Sequence, residues 1–269
     1  MVIHQTKFIK QLLKDYHLDD VSPVSSPLPS QPKLLHKMDN PLLDATIYRQ
    51  LIGKLNLLLH TRPDLAFSVQ HLSQFNQTPS EDHYSAAIHV LRYIKGTLSQ
   101  ALYFNDSKDF HLEAFCDSDW AACPITRKSV SGYYILFGGS PTSWKSKKQS
   151  TIFLSSAEAE YRSMQRVTAE LSWLSRLLDE LGIEEITPIP LKCDNMAVIY
   201  IASNPLVVSI DSAEEIRTEN HESLSLSLSQ FYFLSSLTEI GEEEGIGEKD
   251  DEESLFKEFS PPPHEFYRI

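Results

Sequence analysis

The sequence predicts an α/β protein: a mixed sheet flanked by helices, preceded by a mostly helical region and followed by a disordered acidic tail. Three observations predict it. Up to about residue 104 the apolar side chains recur at helical spacing. From Leu102 they gather into short strand-like runs, then a long helical run, a short strand and a last helix, an order that suits an α/β sandwich. The acidity is confined to one end. From Ser209 onward there are 16 Asp and Glu against 4 Lys and Arg, whereas the first 208 residues hold 21 against 20. The expected division is therefore 1–104, 105–208 and 209–269.

Phe8, Leu12, Leu13 and Tyr16 lie on one face of a first short helix. Val21 to Pro32, rich in Ser and Pro, reads as an extended linker. Asp44 is placed to cap a helix through Tyr48, Leu51, Ile52, Leu55, Leu58 and Leu59, which Arg62-Pro63 ends. Two more helices are expected at Leu65–Phe75 and Glu81–Lys95, separated by Thr78-Pro79. In the second region His111 to Asp117 is apolar enough for a buried strand, followed by a turn. Ser129–Phe137 and Thr142–Lys147 continue as antiparallel strands joined at Gly138-Gly139. A long helix spans about Ser156 to Leu181, Pro188–Asp194 is a short strand, and Asn195 opens a helix through Ala202. In the tail, Leu224–Leu234 has the pattern of one strand. Gly241–Ser254 is too acidic and too poor in apolar residues to fold, and Pro261-Pro262-Pro263 is extended chain.

A chain of 269 residues with a net charge of -13 is long enough to bury one sizeable core. Because the charge sits in the tail, the near-neutral body leaves nucleic acid open as a partner. Cys116, Cys123 and Cys193 form no CxxC pair, which indicates neither a disulfide framework nor a zinc knuckle. The 10 histidines show no ligand spacing. Lys7, Lys10, Lys14 and Asp15 interrupt the first apolar stretch, unlike a secretory signal. No apolar run has the length of a membrane span. The expectation is an intracellular protein, in cytoplasm or nucleus, with no membrane partner and no protein partner indicated.

The chemistry lies in three acidic blocks, at Cys116–Ala121, Ser155–Tyr161 and Leu191–Asn195. Ser155 and Glu158 have capping-box spacing, which gives Glu158 a structural role. Helical steps from Glu160 instead reach Met164, Val167, Leu171, Leu174 and Leu178, the face that packs on the sheet, whereas those from Glu158 reach Arg162, Gln165, Ala169 and Arg176. A carboxylate on a buried face is costly unless paired or metal-bound, so Glu160 is a candidate ligand. Asp117 ends a strand and Asp119 lies on the same side, and pattern alone barely separates them from each other or from ordinary turn residues. Asp194 also ends a strand, where capping is the competing role, one that Asn195 could fill. Lys145, Lys147 and Lys148 form a basic cluster able to contact phosphates, or simply a solvated edge. His17-Leu18-Asp19-Asp20 follows a helix and precedes a linker, so it is no polymerase hairpin.

At these residues the chain resembles the end of the reverse transcriptase segment (Thr6 to Pro29), the connection region and the ribonuclease H domain of a copia-type long-terminal-repeat retrotransposon Pol polyprotein, from about Thr6 to Pro205. The resemblance rests on Thr6–Ile9, Tyr48–Gly53, Thr61-Arg62-Pro63-Asp64 and Leu91–Thr97. It continues through Asp117–Ala121, Ser131-Gly132, Ser143–Gln149, Ser155–Tyr161 and Cys193-Asp194-Asn195. It implies a ribonuclease H-like fold, metal ligands at Asp117, Glu160 and Asp194, and two Mg2+ ions that hydrolyse the RNA strand of an RNA–DNA hybrid. Other nucleic acids are the alternative partner. Reverse transcription by this chain is not implied, because the polymerase core has no counterpart. The match stops at Asn204-Pro205, before the family's further acidic residue, which Asp211 does not convincingly replace. The expected activity is therefore weak or absent. A non-catalytic nucleic-acid-binding remnant, or a pseudogene product, is the competing reading.

Overall fold

The computed structural model describes residues 1–29, 34–35, 40–106, 108, 110–183, 186 and 188–203. The acidic tail, with its strand and disorder expectations, lies outside the described residues. Contacts divide the chain into two units: Met1–Asp106 with Trp144–Lys147, and Ser107–Ser143 with the residues from Lys148 onward.

The first unit begins with β1 (Val2–Ile3) and α1 (Thr6–Asp15), which buries Ile9, Leu12 and Leu13. α1 ends at His17, in the left-handed region at φ 55°. The Lys95 ammonium donates to the carbonyls of Leu18 (3.0 Å), Asp19 and Val21 (2.8 Å), pinning the chain that follows. Helix α2 (Ala45–Leu58) starts as expected at Asp44, whose carboxylate accepts from the Thr46 amide at 2.8 Å. A 3-10 turn at Pro63–Leu65 leads into α3 (Ala66–Ser73). Helix α4 (Glu81–Gly96) carries a capping box formed by Ser80 and His83: the hydroxyl accepts from the His83 amide and the imidazole accepts from the Ser80 amide at 2.9 Å. Strand β2 (Leu102–Tyr103) then pairs antiparallel with β1, a closure that the residue pattern did not announce.

This unit also explains two blocks of the resemblance. Arg62 is only 1% exposed, and its guanidinium grips Asp64 with two bonds (2.9 and 2.7 Å) and the Thr97 hydroxyl with a third at 2.7 Å. Thr61-Arg62-Pro63-Asp64 and Lys95-Gly96-Thr97 are thus halves of one buried polar pin. Between them, a Cβ on Gly96 would stand 3.1 Å from that of Pro23, so the linker crosses α4 where the helix has no side chain.

The second unit is a four-stranded mixed sheet of order β5-β4-β3-β6, made of β3 (Leu112–Asp119), β4 (Val130–Phe137), β5 (Ser140–Lys148) and, after helix α5 (Ser156–Glu180), β6 (Leu191–Lys192). Helix α6 (Met196–Ser203) follows. β3 pairs antiparallel with β4 from Leu112↔Phe137 to Asp119↔Val130, and parallel with β6 at Ala114↔Leu191 and Phe115↔Lys192. Gly138 and Gly139 (φ 55° and 71°) supply the two positive-φ residues of the tight β4–β5 hairpin. α5 lays Met164, Val167, Leu171, Leu174 and Leu178 on Leu112, Ala114, Cys116 and Ile135, the face expected from helical spacing.

Three boundaries differ from the sequence reading. β3 runs two residues past Asp117, because its pairing with β4 continues through Ser118 and Asp119. β6 is reduced to two residues, since Pro190 cannot donate to a ladder and Ile189 already serves the core. Glu158 does not close a capping box on Ser155. Its carboxylate accepts from the Leu154 amide at 2.9 Å instead, while the Ser155 hydroxyl accepts from the Glu158 amide.

Candidate metal centre

Glu160 opens the second turn of α5, and polar clamps on both sides of it tie this end of the helix to the sheet. Gln149, itself 1% exposed, donates from one amide nitrogen to the Ser131 hydroxyl (2.7 Å), the Ser118 hydroxyl (3.3 Å) and the Ala159 carbonyl (2.9 Å). One turn further along α5, the Ser163 hydroxyl donates to the carbonyls of Asp117 (2.8 Å) and Gly132 (3.3 Å). The helix is thereby locked to the backbone of Asp117 and the strand beside it. On the other side of β3, the parallel register with β6 makes Cys116-Asp117 and Cys193-Asp194 the next residues along each strand. Asn195 takes the capping role, its side chain accepting from the Val198 amide at 3.3 Å, so Asp194 is not needed for it.

The result is a cluster of like charges. The ligand atoms of Glu160, Cys193 and Asp194 lie within 4.8 Å of one another. Glu160 is 6% exposed, and its Oε2 has no hydrogen-bond partner among the described residues. Burial first, then the charges of Asp117, Cys193 and Asp194, push its carboxyl up to about 8. Asp117 is raised as well, by burial and by Asp194, against the pull of the Ser118 amide and of a hydrogen bond from Glu160. Burial and Asp117 likewise raise Asp119. Carboxylates that repel one another, with one buried Glu160 oxygen left unpartnered among the described residues, fit a divalent cation.

Asp117, Glu160 and Asp194 stand near enough for their charges to act on one another, and Glu160 and Asp194 share the 4.8 Å group with Cys193. Lys145 and Lys147 are exposed, while Lys148 is half-buried and its ammonium lies 2.9 Å from Cys123 Sγ. Burial raises the Cys123 thiol, but the bonds from Lys148 and Thr126 outweigh it and bring it down to about 7. Three polar residues escaped the sequence reading of the site: Gln149, Ser163 and Cys193. The signals were faint. A polar residue on the buried face of α5 marks Ser163, and the position beside Asp194 marks Cys193.

Comparison with known proteins identifies the lineage. The chain is 38% identical over 204 residues to the Retrovirus-related Pol polyprotein from transposon RE2 of Arabidopsis thaliana, across 76% of this chain and 14% of that polyprotein. It is 33% identical over 211 residues to the corresponding polyprotein from transposon TNT 1-94 of Nicotiana tabacum, across 76% of this chain and 16% of that one. The chain belongs to the copia-type retrotransposon Pol family. An uncharacterized mitochondrial protein of Arabidopsis thaliana, of which this chain covers 72%, is 36% identical over 176 residues. No family model matches the chain, and no solved structure does. As a copia-type Pol segment, the chain spans about a seventh of the polyproteins it matches, at 14%. Among the described residues, no helix is long and apolar enough to cross a membrane.

Proposed function

We propose that the second unit of this retrotransposon-derived chain is a ribonuclease H-like hydrolase acting on the RNA strand of RNA–DNA hybrids. Its activity is expected to be weak or absent, because the resemblance to the family ends before a further acidic residue. The observation that carries the reading is the buried, partnerless oxygen of Glu160 facing Asp194 and held against Asp117. Two Mg2+ ions bound there would supply an activated water and stabilise the attacking and leaving oxygens of the phosphodiester. Asp117, Glu160 and Asp194 would hold the ions. Gln149 and Ser163 would fix the distance between helix and strand, so that the carboxylates cannot relax apart. The substrate would be recognised through its A-like shape and 2′-hydroxyls rather than its sequence.

The test is incubation of the purified full chain with a labelled RNA–DNA hybrid and Mg2+. Cleavage that Asp117→Asn and Glu160→Gln each abolish supports the reading, and cleavage that survives both removes it. Binding that weakens steeply with salt, without cleavage, would instead indicate a non-catalytic nucleic-acid-binding remnant.

A further inference from the structure

The donor set is not purely oxygen. Cys193 Sγ stands within 4.8 Å of the ligand oxygens of both Glu160 and Asp194. Cys193 is half-buried and Asp194 exposed, so an ion can reach them from solvent, whereas Glu160 forms the dry floor with its partnerless Oε2. Behind the sulfur, the β3–β6 register sets Cys116 beside Cys193, an outer neighbour for that side chain.

We propose that Cys193 turns this centre into a mixed thiolate–carboxylate site that takes Zn2+, through Cys193 Sγ, Glu160 and Asp194, in competition with Mg2+. The inference rests on the hydrolase reading in that Glu160 and Asp194 serve both ions. Three protein ligands and an open position suit Zn2+, which accepts sulfur and oxygen donors alike. Mg2+ demands oxygen ligands and gains nothing from sulfur. Binding expels the Cys193 thiol proton to solvent and leaves the sulfur bonded to the metal, with no change of oxidation state. Zn2+ would then occupy the position that the hydrolytic ions need and inhibit cleavage. The proximity is local in origin, because Cys193 directly precedes Asp194 at the end of β6.

Co2+ is the probe, since a cobalt–thiolate bond absorbs in the near ultraviolet and a cobalt–carboxylate bond does not. Titration of the full chain with Co2+ should raise this band to saturation at one ion per chain. Zn2+ should abolish the band and excess Mg2+ should not. Cys193→Ser should lose it, Cys123→Ser should keep it, and Glu160→Gln should weaken Co2+ binding by about tenfold or more. X-ray absorption on the Zn2+-loaded Cys123→Ser chain, which needs no change at the site, should find one sulfur at about 2.3 Å. No band in the native chain, a band that survives Cys193→Ser, or a zinc shell of oxygen and nitrogen alone would each overturn the proposal. Cleavage with Mg2+ in a chain without the band would do so while leaving the hydrolase reading intact. A band without cleavage would uphold the zinc site and remove the hydrolase.

Discussion

Glu160→Gln should stabilise the protein while abolishing hydrolysis, and the gain should depend on pH. In the folded chain Glu160 is raised from its ordinary 4.5 to about 8. Below about pH 4.5 both folded and unfolded forms hold the proton and the group costs nothing. Between about 4.5 and 8 the folded form keeps a proton that the unfolded form releases, so stability falls as pH rises, and above about 8 the whole cost is present. A shift of that size corresponds to at most ~5 kcal/mol at ~1.36 kcal/mol per unit. Because Asp194 faces solvent and water screens part of the repulsion, about half of that, ~2–3 kcal/mol, is expected. Urea unfolding of native and Glu160→Gln chains in chelator, from about pH 5 to about pH 9, measures it. The two curves should meet at the acid end and separate by ~2–3 kcal/mol at the basic end, with the variant above. Saturating Mg2+ should close the gap, since an ion at about 100 times its dissociation constant adds ~2.7 kcal/mol to the native chain. A native stability that is flat across this range, or a variant less stable than native at about pH 9, would refute the account of the cluster.

Arg62→Met should cost ~3–5 kcal/mol, because it strands the buried Asp64 carboxylate, and adding Asp64→Leu should recover most of the loss. Denaturant midpoints of the single and double variants decide it. Gln149→Ala removes a donor shared by Ser131, Ser118 and the Ala159 carbonyl, and should cost on the order of 2 kcal/mol. If the residue positions Glu160, the pH midpoint of that carboxyl should also move down as it draws away from Asp117, which a purely structural loss would not produce. Asp119→Asn should leave most hybrid cleavage in place where Asp117→Asn leaves none. Chelation should lower the unfolding midpoint in Mg2+ buffer without changing far-ultraviolet circular dichroism, since the core of α5 and the sheet exists without the ion.

The elements that repeat a pattern over many residues were legible. α5 shows its face through five buried apolar positions, and Glu160 is conspicuous as the acid on that face. α2 was marked by its capping aspartate and the β4–β5 hairpin by its glycine pair. What escaped depends on partners far along the chain. The β1–β2 pairing involves residues about a hundred positions apart and only two residues a side, too few to leave a periodic trace. The Arg62 pin joins two segments that each look like an ordinary turn or helix end. The end of β3 was misread because a polar Asp-Ser-Asp suggests a turn, whereas pairing with Gly132, Ser131 and Val130 carries the strand through it. Cysteine spacing along the sequence does not reveal Cys193, because its neighbours Glu160 and Cys116 come from other elements.

The weakest structural link in the site is also the shortest strand. Asp194 meets Asp117 and Glu160 only if β6 keeps its register, and β6 has just two paired residues. A slip of one residue would turn its side chains to the opposite faces and take both Cys193 and Asp194 out of the cluster. Four contacts oppose the slip. The Ala114 amide donates to the Pro190 carbonyl at 3.0 Å. Leu191 and Ile189 are buried in the core beneath α5. Lys192 and Glu113 form an ion pair at 2.6 Å on the outer face. Cys116 meets Cys193 at the site end. The ion pair is partly exposed and contributes little by itself, so the register rests chiefly on the two apolar side chains, each worth ~1.5–3 kcal/mol when buried. That places Ile189 and Leu191 among the residues on which the metal centre depends. It also explains how two blocks nearly eighty residues apart can supply adjacent carboxylates through so little backbone pairing.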